Sequence, residues 1–230
     1  MIRTLTVALV LPLALVAGCG SSGGGTNAET GPCTYVGTSA EAAKKVDKPS
    51  STPDPKAPTT VTISTSQGDI PVTLDPGKAP CTVNSFLSLA QQGYFDDTQC
   101  HRLTTQGAFV LQCGDPSGTG QGGPGYAFDD ELIPNDPRLQ PCGSVNGKTW
   151  CTYNAGTVAM ANSGSDTNGS QFFLVYGNST FEPNYTVFGR FDAAGLKVIK
   201  DIAAAGIGTP NGMGPGDGTP KNPVTITSVK

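Results

Sequence analysis

The feature that most restricts the fold is the shortness of the apolar runs. From Thr59 onward they are brief, they alternate with polar residues or fill a few consecutive positions, and glycine or proline breaks them. Val61 and Ile63 alternate with threonine and serine, a turn is expected over 67–69, and residues 70–74 complete a β-hairpin. Further strands are expected over 101–103, 109–113, 157–160, 172–176, 186–191 and 224–229. Helical spacing occurs twice. Pro80 opens a stretch in which Val83, Phe86, Leu87 and Ala90 share one face and Gly93 ends it; a second helix is expected over 196–205, with Val198, Ile199 and Ile202 inward. Glycine (31) and proline (19) make up about a fifth of the 230 residues, which suits many tight turns. Eight short strands and two helices predict a mainly β fold: a closed, eight-stranded antiparallel barrel, which leaves no strand edge open, capped by two α-helices. With 37% hydrophobic residues, the length supports one cored domain plus extensions.

Residues 1–18 carry one positive charge, Arg3, followed by an apolar run too short for a bilayer span of ~20 residues, and are expected to be a signal peptide. Val16-Ala17-Gly18-Cys19 resembles a bacterial lipobox. Cys19 is therefore the expected lipidation site, and the mature protein is expected on the outer face of the bacterial cell membrane. Residues 19–58, rich in Gly, Ser and Pro, are expected to be a tether with a helical turn over 40–46, and residues 59–230 the folded domain. Six cysteines remain: Cys33, Cys81, Cys100, Cys113, Cys142 and Cys151. An even number in an exported chain reads as disulfides, with the connectivity open. Cys142 and Cys151 flank a short segment with Gly, Asn and Lys, and are expected to pair across the neck of a hairpin or loop, while Cys33 can pin the tether to the domain.

Charge and spacing exclude several classes of function. Removing residues 1–18 takes Arg3 with them and leaves 13 of the 14 basic residues against 18 acidic ones, a net charge of −5. No basic run exists, so no nucleic-acid partner is expected. No metal or other cofactor is expected, because Cys-x-x-Cys is absent and His101 is the sole histidine. Residues 118–123 spell G-x-G-x-x-G, but Pro124 and Gly125 follow where a helix should begin, so the segment reads as a loop. Ser170 does not sit in G-x-S-x-G, and the cysteines lack the spacing of a reactive dithiol.

His101-Arg102-Leu103; Phe109-Val110-Leu111-Gln112 with Gly114-Asp115 and a glycine-rich loop; Met160-Ala161-Asn162; Thr167-Asn168-Gly169-Ser170-Gln171-Phe172-Phe173; and Val187-Phe188-Gly189 follow one another along the chain. In order and spacing they resemble the signature of the cyclophilins, a family of peptidyl-prolyl cis/trans isomerases. The resemblance covers about residues 59–230. It implies the capped barrel and a groove on its outer wall that binds X-Pro peptides. By position, Arg102 matches the catalytic arginine, Phe109, Val110 and Phe173 the wall of the proline pocket, and Gln112 and Asn162 the groups that hold the substrate backbone. Ala161 and Gln171 join them as groove residues.

The chain departs from the family pattern in two places. Two additional residues between Arg102 and Phe109 are expected to bulge at 106–108 beside the pocket. In Phe181-Glu182-Pro183-Asn184-Tyr185-Thr186, Phe181 stands for a tryptophan and Tyr185 for a histidine, with one residue deleted between. Both are counted as substrate-binding, and weak cyclosporin binding is expected. The implied partners are X-Pro-containing exported polypeptides and, through lipid on Cys19, the membrane; the expected state is a monomer. Two readings compete: a chaperone-like module that binds proline segments with little turnover, and a disulfide-stapled structural lipoprotein. Arg102 argues against the first, and the joint presence of the groove residues against the second.

Overall fold

A computed structural model describes residues 31–230. The expected signal peptide, Cys19 and the first part of the tether lie outside the described residues. The first strands are β1 (Val36–Gly37), β2 (Thr60–Thr65) and β3 (Gly68–Leu74), followed by helix α1 (Pro80–Gln91). Next come β4 (Thr98–Gln99), β5 (Arg102–Thr104), β6 (Val110–Cys113), β7 (Tyr126–Ala127), β8 (Cys142–Val145), β9 (Lys148–Tyr153), β10 (Thr157–Met160), β11 (Phe172–Val175), β12 (Ser179–Phe181) and β13 (Val187–Phe191). Helix α2 (Ala193–Ala204) precedes β14 (Ile207–Pro210), β15 (Asp217–Pro220) and β16 (Thr225–Val229).

Each of the eight expected strands has a counterpart: β2, β3, β5, β6, β10, β11, β13 and β16. They belong to one antiparallel ladder in the order β14-β15-β5-β6-β11-β10-β13-β3-β2-β16-β4. Among the described residues the two end strands do not pair with each other, and the sheet is a curled half-barrel of eleven strands. The strands not foreseen are short or polar, so that few of them carry an apolar alternation long enough to read. The β14–β15 hairpin, for example, adds to the sheet by pairing Asp217 with Thr104 and Gly218 with Leu103.

Alternation of side chains across the sheet separates two cores. On the inner face, register aligns Leu103, Leu111, Leu174 and Val158 on four adjacent strands, all buried. Each contributes on the order of 1.5–3 kcal/mol by leaving water. Helix α1 lays Phe86 into this core, its ring 5.2–5.5 Å from those of Phe95, Phe172 and Phe188. Pro80 starts the helix, and the first free amides are capped from afar: the Glu131 carboxylate accepts from Cys81 N (2.9 Å), Thr82 N (2.8 Å) and Thr82 Oγ1 (2.7 Å). Helix α2 is capped locally by Asp192, which accepts from Gly195 N at 2.9 Å. Ile199 and Ile202 of α2 are buried as expected, and Val198 is half-buried.

The outer face carries a smaller core of Val110, Ala159, Phe173, Val175 and Val187, covered by a three-stranded sheet in the order β12-β9-β8. Cys142 and Cys151 face each other in that hairpin and are bonded, as expected from their spacing. The other pairs are Cys33–Cys81 and Cys100–Cys113.

Residues 31–58 lie against the domain. Cys33 and Tyr35 are buried, and β1 pairs with β7. Lys44 Nζ donates to the carbonyls of Gly93 and Asp96. The helical turn expected over 40–46 is absent: these amides and side chains are drawn to partners on the domain instead, including Ala43 N to Gly123 O at 2.8 Å.

Candidate active site

Strand register assembles a site on the outer face. Arg102 pairs with Gln112, Gln112 with Phe173, and Phe173 with Ala159, so one row across β5, β6, β11 and β10 sets a guanidinium, an amide and an aromatic ring side by side. Beside this row lies a cleft of about 140 Å³, lined by Arg102, Thr104, Ala108, Val110, Gln112, Ala161, Asn162, Phe173, Phe181 and Tyr185. Its volume is that of one small ring. The apolar wall is an aromatic cluster in which Phe173, Phe181, Tyr185 and Tyr153 meet edge-on or tilted at centroid distances of 5.4–6.3 Å.

The polar wall is a chain of hydrogen bonds whose direction is fixed by one residue. Arginine only donates. Its Nε and Nη2 donate to the two oxygens of Asp217 (2.9 and 2.7 Å), and its Nη1 donates to Gln112 Oε1 (3.1 Å). Gln112 must therefore turn its amide nitrogen the other way, where it donates to Gln171 Oε1 (2.9 Å). Gln171 in turn donates to the carbonyls of Gly120 (3.0 Å) and Gly122 (2.9 Å). Asp217 also accepts from Asn211 Nδ2 at 2.6 Å. Three of the five guanidinium N–H groups are engaged and two remain, on a plane held by its neighbours. Hydrogen bonding from Arg102 holds the Asp217 carboxyl below its usual range against the opposing effect of burial, and the same bond raises Arg102 further.

Comparison with known proteins decides the family. The family model "Cyclophilin type peptidyl-prolyl cis-trans isomerase/CLD" matches residues 60–230. This chain belongs to the cyclophilin family. "Probable peptidyl-prolyl cis-trans isomerase B" of Mycobacterium leprae is 48% identical over 206 residues, covering 86% of this chain and 66% of that protein. Its counterpart in Mycobacterium tuberculosis is 47% identical, with 86% and 63% covered, so the chain spans somewhat less than two thirds of these relatives. The Mycobacterium tuberculosis "Peptidyl-prolyl cis-trans isomerase A" is 35% identical over 199 residues, covering 80% of this chain and 97% of that protein. Among solved structures, a Cryptosporidium parvum cyclophilin type peptidyl-prolyl cis-trans isomerase superposes with a TM-score of 0.58 at 27% identity, covering 74% of this chain and 95% of that one. The same protein in the presence of the dipeptide Ala-Pro gives 0.55 at 26%.

In this cyclophilin, Arg102, Val110, Gln112, Ala161, Asn162, Phe173, Phe181 and Tyr185 all line the one cleft. Gln171 stands outside it and braces Gln112. Phe109 stands apart: its ring packs on Tyr176 (5.9 Å) and against the inner core. Strand alternation explains this, because Val110 and Gln112 share the outer face and their odd-numbered neighbours face inward. Asn162 is held by donation to Asn184 O at 2.8 Å. Ala108, in the expected bulge, does reach the cleft. Asp217, Thr104 and Asn211 were not legible from sequence, since their roles arise from the unforeseen β14–β15 hairpin and from strand ends.

Behind Arg102 lies His101. Burial lowers its pKa below the ordinary value of 6.5 and the charge of Arg102 adds to this, against attraction by Asp115. The folded state thus favours neutral His101. As pH falls below about 6.5 the unfolded chain binds the proton first, and stability drops until the folded pKa is passed. Chemical denaturation at pH 7 and pH 5 is expected to show this loss, at most about 1.4 kcal/mol per pH unit, and His101→Gln is expected to lack that share of the slope. An equal slope in the variant would assign the loss to other groups.

Proposed function

We propose that this chain is a peptidyl-prolyl cis/trans isomerase that accelerates rotation about X-Pro bonds in exported polypeptides, with Arg102 as its catalytic residue. An X-Pro bond rotates over a barrier of ~18–20 kcal/mol, most of it lost amide resonance. In the twisted amide the prolyl nitrogen regains its lone pair and accepts a hydrogen bond that the planar ground state cannot accept. A donor aimed at that nitrogen therefore stabilises the transition state selectively. The observation that carries this reading is the Arg102 guanidinium, fixed by Asp217 and Gln112 with two N–H groups to spare beside a cleft that has one aromatic wall. Val110, Phe173, Phe181 and Tyr185 hold the proline ring and keep water from the guanidinium, while Gln112 and Asn162 fix the flanking peptide. No nucleophile and no cofactor enters this step, and the chain acts as a monomer in this reading.

Three disulfides suit an oxidising, exported setting, and lipid on Cys19 would hold the domain at the membrane face. Among the described residues no helix is long and apolar enough to cross a membrane. The expected closed barrel also belongs to this reading. Only Cys100 and His101 separate β4 from β5, and Cys100 N–H donates to Val224 O (2.8 Å), so this stretch would join the two ends of the eight-strand path.

A protease-coupled assay with X-Pro peptides tests the activity: acceleration is expected with the parent chain, and none with any peptide would remove the reading. Cyclosporin separates ligand affinity from turnover. The family's tryptophan donates through its indole N–H, and Phe181 at the cleft edge has no donor. Phe181→Trp is expected to tighten cyclosporin about tenfold by calorimetry, with a much smaller change in turnover. Equal affinity in both proteins would show that position 181 does not meet the ligand.

A further inference from the structure

A segment outside the family match builds one wall of a second groove. Residues 31–44 run across the domain as a strap. The Cys33–Cys81 disulfide fixes one end, and Val36 and Gly37 pair with Ala127 and Tyr126. Thr38 N donates to Gly125 O (3.0 Å), Ala43 N to Gly123 O (2.8 Å), and Lys44 to the carbonyls of Gly93 and Asp96. Between this strap and the outer wall lies a groove of about 480 Å³. Thr38, Ala40 and Glu41 line it on one side, and Gln112, Ala161 and Asn162 on the other. Those last three also line the proline cleft, so the two spaces adjoin at these residues.

Among the described residues Glu41 is the only charged side chain on this groove; the remaining lining is glycine, small apolar groups, hydroxyls, one phenol and amides. It is exposed and forms no salt bridge among the described residues. Among the described residues no cation lines the groove: Lys44 is held by backbone carbonyls and Arg102, at the adjoining cleft, by Asp217, while Lys45 is exposed and stands outside the lining. Neutral amides and hydroxyls accept either sign of substrate charge, whereas a lone carboxylate does not.

We propose that Glu41 makes this groove select peptide segments that carry a lysine or arginine within a few residues of the X-Pro bond. This specificity rests on the isomerase reading above, with the strap supplying a determinant that the matched domain lacks. Because the pair forms at an exposed rim, the preference is modest and salt-sensitive: about fivefold between a Lys and a Glu peptide at low ionic strength, shrinking as salt is added.

The test uses the full chain and paired peptides with Lys or Glu placed in turn at each of the three positions before and after proline. Within each protein the Lys/Glu ratio of kcat/KM is taken, so that any general change in activity cancels. The parent is expected to favour Lys about fivefold at one or more positions, Glu41→Gln to remove the contrast, and Glu41→Lys to invert it. Identical ratios in all three proteins at every position overturn the proposal. NMR titration of the same peptides reads the ratio in binding alone. If no peptide is turned over the isomerase reading fails, yet the binding ratio still decides the role of Glu41.

Discussion

Arg102→Ala is expected to lower kcat and kcat/KM for X-Pro isomerisation together, by about 10²–10³-fold, the usual consequence of deleting one preorganised donor that acts on the transition state. KM should change little, because the planar substrate makes no strong bond to this group. The sequence alone suggests that a groove-facing arginine is dispensable for stability. The structure alters that expectation: the Asp217 side chain is only 11% exposed, and its ionic partner is Arg102. Alanine leaves that carboxylate with Asn211 alone and is expected to cost about 1–3 kcal/mol in urea unfolding. Arg102→Lys separates the two effects. It restores a positive charge near Asp217, and with it most of the stability, but it lacks the planar fork that engages Asp217 and Gln112 together. Its turnover should stay at least tenfold below the parent. A lysine variant with parental kcat would mean that charge alone, and not a held donor, lowers the barrier.

The second large effect is expected at Asp115, which lines neither the cleft nor the groove. Its carboxylate is fully buried and accepts from Ser117 N (2.8 Å), Ser117 Oγ (2.7 Å), Gly120 N (2.7 Å) and Gly122 N (3.0 Å). The glycine-rich loop that spells a dinucleotide fingerprint thus wraps a carboxylate of its own chain. Gly122 passes so close that an added Cβ would lie 2.1 Å from Asp115 Oδ1, which is why no side chain fits there. Burial alone would raise the Asp115 pKa, but these hydrogen bonds outweigh it and hold it below the ordinary carboxylate range. Asp115→Asn sets an NH₂ against inward-pointing N–H groups. The expected cost is about 3 kcal/mol, or roughly 6–12 °C in Tm for a domain of this size. Activity should fall too, because the carbonyls of Gly120 and Gly122 anchor Gln171, which orients Gln112 against Arg102. Asp115→Asn with a parental Tm would show that the loop does not depend on that carboxylate.

What could be read from the sequence follows from which signals are local. Alternation at Val61 and Ile63 and helical spacing from Val83 to Ala90 place β2 and α1 correctly, because burial of one face repeats with the period of the element. The Cys142–Cys151 pair was legible for the same reason, being nine residues apart across a short turn. Long-range partners were not. Nothing near Arg102 points to Asp217, 115 positions away, and nothing near Pro80 points to Glu131 as the cap of its helix. The anchor of the strap was legible in Cys33, which pairs with Cys81; the course of residues 36–43 was not, because their backbone pairing to the domain leaves no mark on composition. Phe109 shows the opposite limit: the motif groups it with Val110, while pleating turns adjacent residues to opposite faces.

The central claim is that this groove turns over prolyl bonds and does more than bind them. Exchange between the cis and trans forms of an Ala-Pro peptide can be measured at equilibrium by NMR exchange spectroscopy with a catalytic quantity of the chain. The account predicts that both rates rise by the same factor, that the cis fraction stays unchanged, that the acceleration is flat between about pH 6 and 8 because arginine does not titrate there, and that Arg102→Ala removes it. Peptide-induced shifts at Gln112 and Phe173 combined with exchange at the uncatalysed rate would contradict it, and would make the protein a proline-segment binder.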